Sequence, residues 1–230
     1  MSAKGLFVTG TDTGCGKTEI TLALMRLAQS QGLRVLGMKP ISAGATDTGE
    51  GLRNEDALRI QAAGSQSAPY ELINPYVFEP PVAPHIAARE AGQTLRWEVI
   101  AECYRSLAEL ADLVVVEGVG GWRVPLGEDL EVADLPGLME LPVLLVVGMR
   151  LGCLNHSLLT ADAVVDRARL VGWVANQVEP DMDRLDENIA TLDLGIPCPR
   201  VGRVGYRRSP PSPEDMASEL DPECLSRLLA

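Results

Sequence analysis

The sequence predicts a doubly wound α/β fold, a mostly parallel sheet with helices on both faces. Two observations carry that expectation. Short runs rich in Val and Leu recur with little polar alternation: GLFVTG (5–10), RVLGMKP (34–40), LVVVEG (113–118), LPVLLVVG (141–148), LVGWVANQV (170–178) and PRVGRVG (199–205). Strands without alternation are buried on both faces, as in a parallel sheet. Between the runs lie helical patterns near 17–31, 55–63, 94–111, 155–168, 183–193 and 222–229, and strands that alternate with helices imply crossover connections. Aromatic residues make up only 4% of the chain, which suits this layered class better than an aromatic-rich β-sandwich. The 230 residues suffice for one domain over 1–230 with a substantial core.

The first run leads into GTDTGCGKT (10–18), and the helix that follows is expected to stop at Gly32, because glycine takes the left-handed turn that closes a helix at little cost. Asn155 and Asp183 stand where they would cap two later helices. From Pro69 to Gly92 the chain is proline-rich with little helical or strand signal, so it reads as either a surface excursion or a functional loop. No internal repeat or low-complexity segment is present. In a doubly wound sheet the loops at the carboxyl ends of the strands face the ligand. That rule brings GTDTGCGKT, KPISAG (39–44) and EGVGGW (117–122) to one rim.

Composition excludes several classes. A net charge of −12 argues against a phosphate-backbone partner, since nucleic-acid binders present a basic face; Arg207-Arg208 is only a pair. Cys15, Cys103, Cys153, Cys198 and Cys224 are odd in number and never in a Cys-x-x-Cys pair. They read as free thiols in a reducing compartment. His85 and His156 are the only histidines, too few for a histidine-rich metal centre. No secretory signal pattern is present and no apolar run approaches the ~20 residues of a membrane span, so a soluble, cytoplasmic protein without a membrane partner is expected.

The rim carries the chemistry. Successive backbone N–H groups of a glycine-rich loop can cradle an anion, and a helix beginning near Lys17 adds its positive end. Lys17 would reach the outer phosphates and the Thr18 hydroxyl would ligate magnesium, which makes the fold P-loop NTPase-like. The loop departs from the common spacing, since Thr11 stands where the first glycine is usual and Gly10 lies one residue early. Glu117, at the end of LVVVE, is placed to serve as a magnesium ligand. Asp56, among other acids at a helix start, is a weaker candidate by itself. Lys39 ends a strand stopped by Pro40, and the neighbouring strand is expected to carry the phosphate loop. A cation there would hold a γ-phosphoryl group or an anionic acceptor. Cys15 has no base in prospect and is not a nucleophile candidate.

Taken together, GTDTGCGKT, KPISAG, GLRNEDAL (51–58), INPYVF (73–78), PHIAA (84–88), VEGVGGW (116–122), LGCLNH (151–156) and GWVANQV (172–178) resemble the dethiobiotin synthetase family, in the family's order and over most of the chain. The family's loop is likewise one residue longer than the common pattern. The resemblance implies an ATP- and Mg2+-dependent ring closure. A carbamate formed from CO2 and 7,8-diaminononanoate is phosphorylated by ATP, and the second amine then displaces phosphate. It further implies Lys39 as catalytic lysine, with Lys17 and Thr13 assisting, and Thr18, Asp56 and Glu117 as magnesium ligands. The nucleotide would rest on Gly14, Cys15, Gly16, Lys17, Thr18, Glu19, Asp56, Glu117, Gly118, Val119 and Gly120. Asn176 and Gln177 would meet its base, with Val204, Gly205 and Tyr206 closing over it. Ser42 and Ala43 would face the diamine, and Gly152 and Asn155 would hold its distal carboxylate from the other subunit of a homodimer. Ala43 and Ala83 stand where hydroxyl residues are common in the family, and Gly14 where an acid is frequent.

Three rival readings share the rim. A regulatory ATPase switch of the partitioning and septum-site type would carry a lysine early in the loop, where this chain has Thr11 and Asp12. Some of those proteins have a basic membrane tail, whereas the tail here is acidic for most of its length. A small-molecule kinase is not distinguished by the rim alone. A catalytically inert nucleotide-binding module is a further rival, although Lys17, Lys39 and Glu117 are all present.

Overall fold

The computed structural model describes residues 4–208 and 212–229, so both ends of the expected 1–230 domain lie outside the described residues. All six apolar runs form strands: β1 (Lys4–Gly10), β2 (Val35–Met38), β3 (Leu113–Glu117), β4 (Val143–Met149), β5 (Leu170–Gln177) and β6 (Arg200–Val204). They make one sheet in the order β6-β5-β4-β1-β3-β2, with every pairing parallel. The chain winds from β1 to one edge at β2, returns through β3, and from β4 winds to the other edge. β1 therefore lies where the winding reverses, the place where such sheets open a ligand crevice.

Both faces of the sheet are buried. Along β4, Leu145, Val147 and Met149 pack with Trp173 and Ala175 against Cys153, Ala161, Ile189 and Leu192 of the covering helices. Leu144 and Val146, pointing the other way, join the larger cluster that contains Phe7, Ile20 and Met25. Alternate side chains leave a strand on opposite faces, so a run with no polar position needs cover on both. Each Leu or Val so buried stabilises the fold by about 1.5–3 kcal/mol.

The helices of eight or more residues are α1 (Lys17–Ser30), α2 (Glu55–Ala62), α3 (Trp97–Leu110), α4 (Cys153–Val165) and α5 (Leu185–Gly195). As expected, α1 stops at Gly32, which has φ +84° and whose N–H donates to Gln29 O at 2.9 Å. The two expected caps differ from observation. Gly152 (φ +92°) takes the N-cap position of α4, so Asn155 lies inside the first turn. Arg184 takes that position for α5, leaving Asp183 one residue outside. A side chain caps only from the half-helical residue before the first turn.

The proline-rich stretch is more structured than expected. It holds the short helices Tyr70–Ile73 and Pro84–Glu90, and Tyr76–Val77 pairs in parallel with Ile41–Ser42. Pro84 is the first helical residue of its helix, where a missing N–H costs nothing; proline reads as a breaker only when this position is overlooked. The C-terminal pattern gives a helix at Cys224–Leu228, inside the expected 222–229.

One expectation about the rim is corrected. β2 pairs with β3, not with β1. The strand ending in Glu117 thus stands between the phosphate loop and Lys39.

Candidate active site

β1 ends at Gly10, and the chain turns through Thr11–Gly16 into α1. Gly16 makes the turn with φ +93°, a conformation open to glycine at little cost. A Cβ there would also sit 2.1 Å from the Asn176 amide nitrogen. Within the loop, Lys17 Nζ donates to Asp12 O at 2.9 Å and the Thr13 N–H donates to Asp12 Oδ1 at 2.7 Å. Asp12 is held from outside by Arg150, which follows β4, at 2.5 Å.

Glu117 is the hub of the site. It is buried, and its Oε1 accepts from Thr18 Oγ1 at 2.9 Å and from Lys39 Nζ at 2.5 Å. Lys39 also faces Asp56 Oδ2 at 3.4 Å. Burial pulls the Lys39 ammonium toward neutrality, but the charges of Glu117 and Asp56 and their hydrogen bonds outweigh it and hold its pKa above the usual lysine value. The ammonium therefore stays charged although buried. Asp56 is placed by α2, whose first turn is capped by Asn54 Oδ1 accepting from the Ala57 N–H at 3.2 Å. Arg59, one turn along α2, makes a paired contact with Glu19 of α1 at 2.7 and 2.9 Å, so the two helices are clamped together beside the site.

Lys17, Thr18, Glu19, Lys39, Asn54, Asp56 and Glu117 line one cleft of about 670 Å³, together with Thr13, Gly14, Ser42, Ala43, Val119 and Gly120. A smaller pocket of about 320 Å³ adjoins it at Gly14 and Glu19 and is lined by Asn176, Gln177, Val204, Gly205 and Tyr206. The size suits a nucleobase beside a phosphate cradle. Asn176 Nδ2 donates to Cys15 O at 2.8 Å, which ties the small pocket to the loop. A groove of about 800 Å³ beside His85 and Trp97 is larger, but its charged side chains are exposed and gather no such set.

Among the described residues, no three His, Cys, Asp or Glu side chains gather as a metal centre. The candidate ligands are two carboxylates and a hydroxyl, hard oxygen donors of the kind magnesium takes beside phosphates. Glu117 Oε2 is buried without a hydrogen-bond partner among the described residues, and such a carboxylate oxygen is costly unless a cation meets it. By donating its proton to Glu117, Thr18 keeps its lone pairs for the same cation. These residues fit the ion.

Most of the sequence-expected residues come together here. Cys15, Gly118, Gly152 and Asn155 line neither pocket: the first two are buried, and the last two are exposed at the start of α4. Ser42 lines the cleft but is fully buried and donates its hydroxyl to Asn74 Oδ1 at 2.7 Å. Arg150, Asn54, Arg59 and Asn74 were missed. Asn74 and Asn54 had a signal, their places in INPYVF and GLRNEDAL; Arg59 and Arg150 act through partners distant in sequence.

A model of the AAA domain family matches residues 4–211. The chain is 45% identical to the ATP-dependent dethiobiotin synthetase BioD of Xylella fastidiosa (strain 9a5c), over 97% of this chain and 99% of that one. The protein of the same name from Cellvibrio japonicus (strain Ueda107) is 48% identical over 96% and 97%, and that from Xanthomonas axonopodis pv. citri (strain 306) 47% identical over 90% and 93%. Among solved structures, chloroplast FtsY from Physcomitrella patens superposes with a TM-score of 0.55 at 16% identity. FtsY from Elizabethkingia anophelis in complex with GDP gives 0.53 at 15%. Both cover all of this chain but only 65% and 64% of theirs, a likeness of fold alone. With near-complete coverage at these identities, the chain belongs to the dethiobiotin synthetase family.

Proposed function

We propose that this protein is an ATP- and Mg2+-dependent cyclo-ligase. It closes the ureido ring of dethiobiotin from 7,8-diaminononanoate and CO2, as a single domain within a cytoplasmic homodimer. The observation that carries the reading is the meeting of Lys17, Lys39 and Glu117 in one cleft at the reversal of the sheet, in a chain of this family.

The reaction must bring together two anions, a carbamate and the γ-phosphate. An amine of the substrate adds to CO2 and loses a proton, giving the carbamate. A carbamate oxygen attacks the γ-phosphorus and ADP departs, leaving a carbamic–phosphoric anhydride. The second amine attacks its carbonyl carbon, loses a proton and expels phosphate as the ring closes. Lys39, charged though buried, would sit between the anions and lower their repulsion, and Lys17 would leave Asp12 O for the outer phosphates. Thr13 borders the same cleft and would lie beside the transferred group. Thr18, Asp56 and Glu117 would hold magnesium, which when bound neutralises phosphate charge. Asn176 and Gln177 would read the base, and Val204–Tyr206 would cover it. Ser42 and Ala43 would line the diamine's path, and Gly152 and Asn155 of a second copy would take its carboxylate at the amino end of α4.

The test is a single assay with ATP, magnesium, bicarbonate and the diamine. Release of ADP, phosphate and dethiobiotin supports the proposal. ATP turnover indifferent to the diamine favours a regulatory switch, and a stable phosphorylated product favours a kinase.

A further inference from the structure

No residue of the INPYVF motif has a role in the proposed reaction, yet its asparagine is buried beside the cleft. We infer that Asn74 is a positioning residue for Lys39. An asparagine amide offers two donors and two acceptor lone pairs, and Asn74 uses all four. Its Nδ2 donates to Lys39 O at 2.7 Å and to Tyr76 O at 3.1 Å. Its Oδ1 accepts from Ser42 Oγ at 2.7 Å and from Tyr70 OH at 3.0 Å. The amide orientation is fixed, since two carbonyls can only accept and the hydroxyls are free to donate.

Two routes run from this amide to the same ammonium. One is direct, through the Lys39 carbonyl. The other passes from Tyr70 OH, which accepts from the Asn54 N–H at 2.9 Å, to the cap of α2 and so to Asp56. Asn54 Nδ2 also donates to Ala43 O at 3.2 Å, which includes the cleft wall in the same unit. An amide that merely closed the local turn would be satisfied within 70–76. This one joins that turn to Lys39 and Ser42, more than thirty residues away. Satisfied polar networks in a low-dielectric interior hold one arrangement firmly, and the reaction needs one placement of the ammonium.

The inference rests on the proposed function for its consequence, but its test does not depend on activity. Lys4, Lys17 and Lys39 are the only lysines, so reductive methylation of the folded protein read by peptide mass spectrometry reports each separately. In Asn74→Ala, Lys39 should be modified about tenfold faster while Lys17 keeps its wild-type rate. Tyr70→Phe, which removes only one hydroxyl, should give a smaller change of the same kind and serves if Asn74→Ala does not fold. In the diamine assay Asn74→Ala should lower kcat on the order of 10²-fold with ATP affinity kept, and should cost nothing further in a Lys39→Ala background. Unchanged Lys39 labelling, labelling that rises equally at Lys17, or an additive penalty in the double variant overturns the inference. A wild-type protein inactive toward the diamine sinks the proposed function instead, while the labelling still decides whether Asn74 holds Lys39.

Discussion

β1 divides the sheet into two unlike halves. On one side, β3 ends in Glu117 and β2 is followed by Lys39, both charged and both buried. On the other, β5 carries the buried neutral amide of Asn176 near its end, and the cation that follows β4, Arg150, is only partly buried and meets Asp12. Withdrawing an ion from water costs several kcal/mol, and the cost is offset only by close partners. A fold bears that cost where the charges have a use. The difference is what the proposed function calls for, a charged half to meet phosphates and a neutral half to meet a group recognised by shape and hydrogen bonds.

The largest break in that comparison is Lys39→Ala. It should lower turnover on the order of 10²–10³-fold and leave ATP binding largely intact, read by steady-state kinetics beside a binding isotherm. Unchanged turnover removes Lys39 from the mechanism. Next is Glu117→Gln, which removes the charge shared by Thr18 and Lys39. The magnesium concentration for half-maximal turnover should rise about 10–100-fold, and a magnesium titration that does not move refutes the assignment of Glu117.

On the neutral half, Asn176→Ala should weaken ATP binding by about tenfold at most, the worth of a neutral hydrogen bond or two, and should narrow the preference for ATP over other triphosphates. Retained selectivity would place base recognition elsewhere. The smallest effect belongs to the opposite rim, where Arg34 pairs with Asp112 at 2.7 Å in full view of solvent. The Arg34 side chain first, and its backbone N–H second, hold the Asp112 carboxyl down at about 2. Because that pKa is depressed by folding, the pair's contribution is present above the ordinary carboxylate range and fades as pH falls toward about 2. In Arg34→Ala the Asp112 carbon resonance should titrate at higher pH; no shift would mean that the pair does not form in solution.

The strands were legible because a fully buried parallel strand leaves an unbroken apolar run, as LVVVE and VLLVVGM do. Gly16-Lys17-Thr18 and Glu117 were legible for a related reason, since each stands where an apolar run or a glycine turn abruptly meets a charge. Strand order was not. Nothing in RVLGMKP states that its neighbour is a strand more than seventy residues on, so the insertion of β3 between the loop and Lys39 escaped notice. Asn74 and Arg150 were illegible in part for the same cause, because a positioning side chain is defined by partners that only the fold supplies. The missed helix at Pro84 had a local cause, proline standing at a start and not at an end.

Gly16 carries a consequence for any attempt to re-engineer this protein. A methyl group there would push aside the Asn176 amide, which donates to the neighbouring Cys15 O of the same turn. Under the proposed function, the grip on the triphosphate and the choice of base would thus share one hinge pin. Variants selected for a new nucleotide should therefore tend to change catalytic speed as well, and the two traits would evolve together.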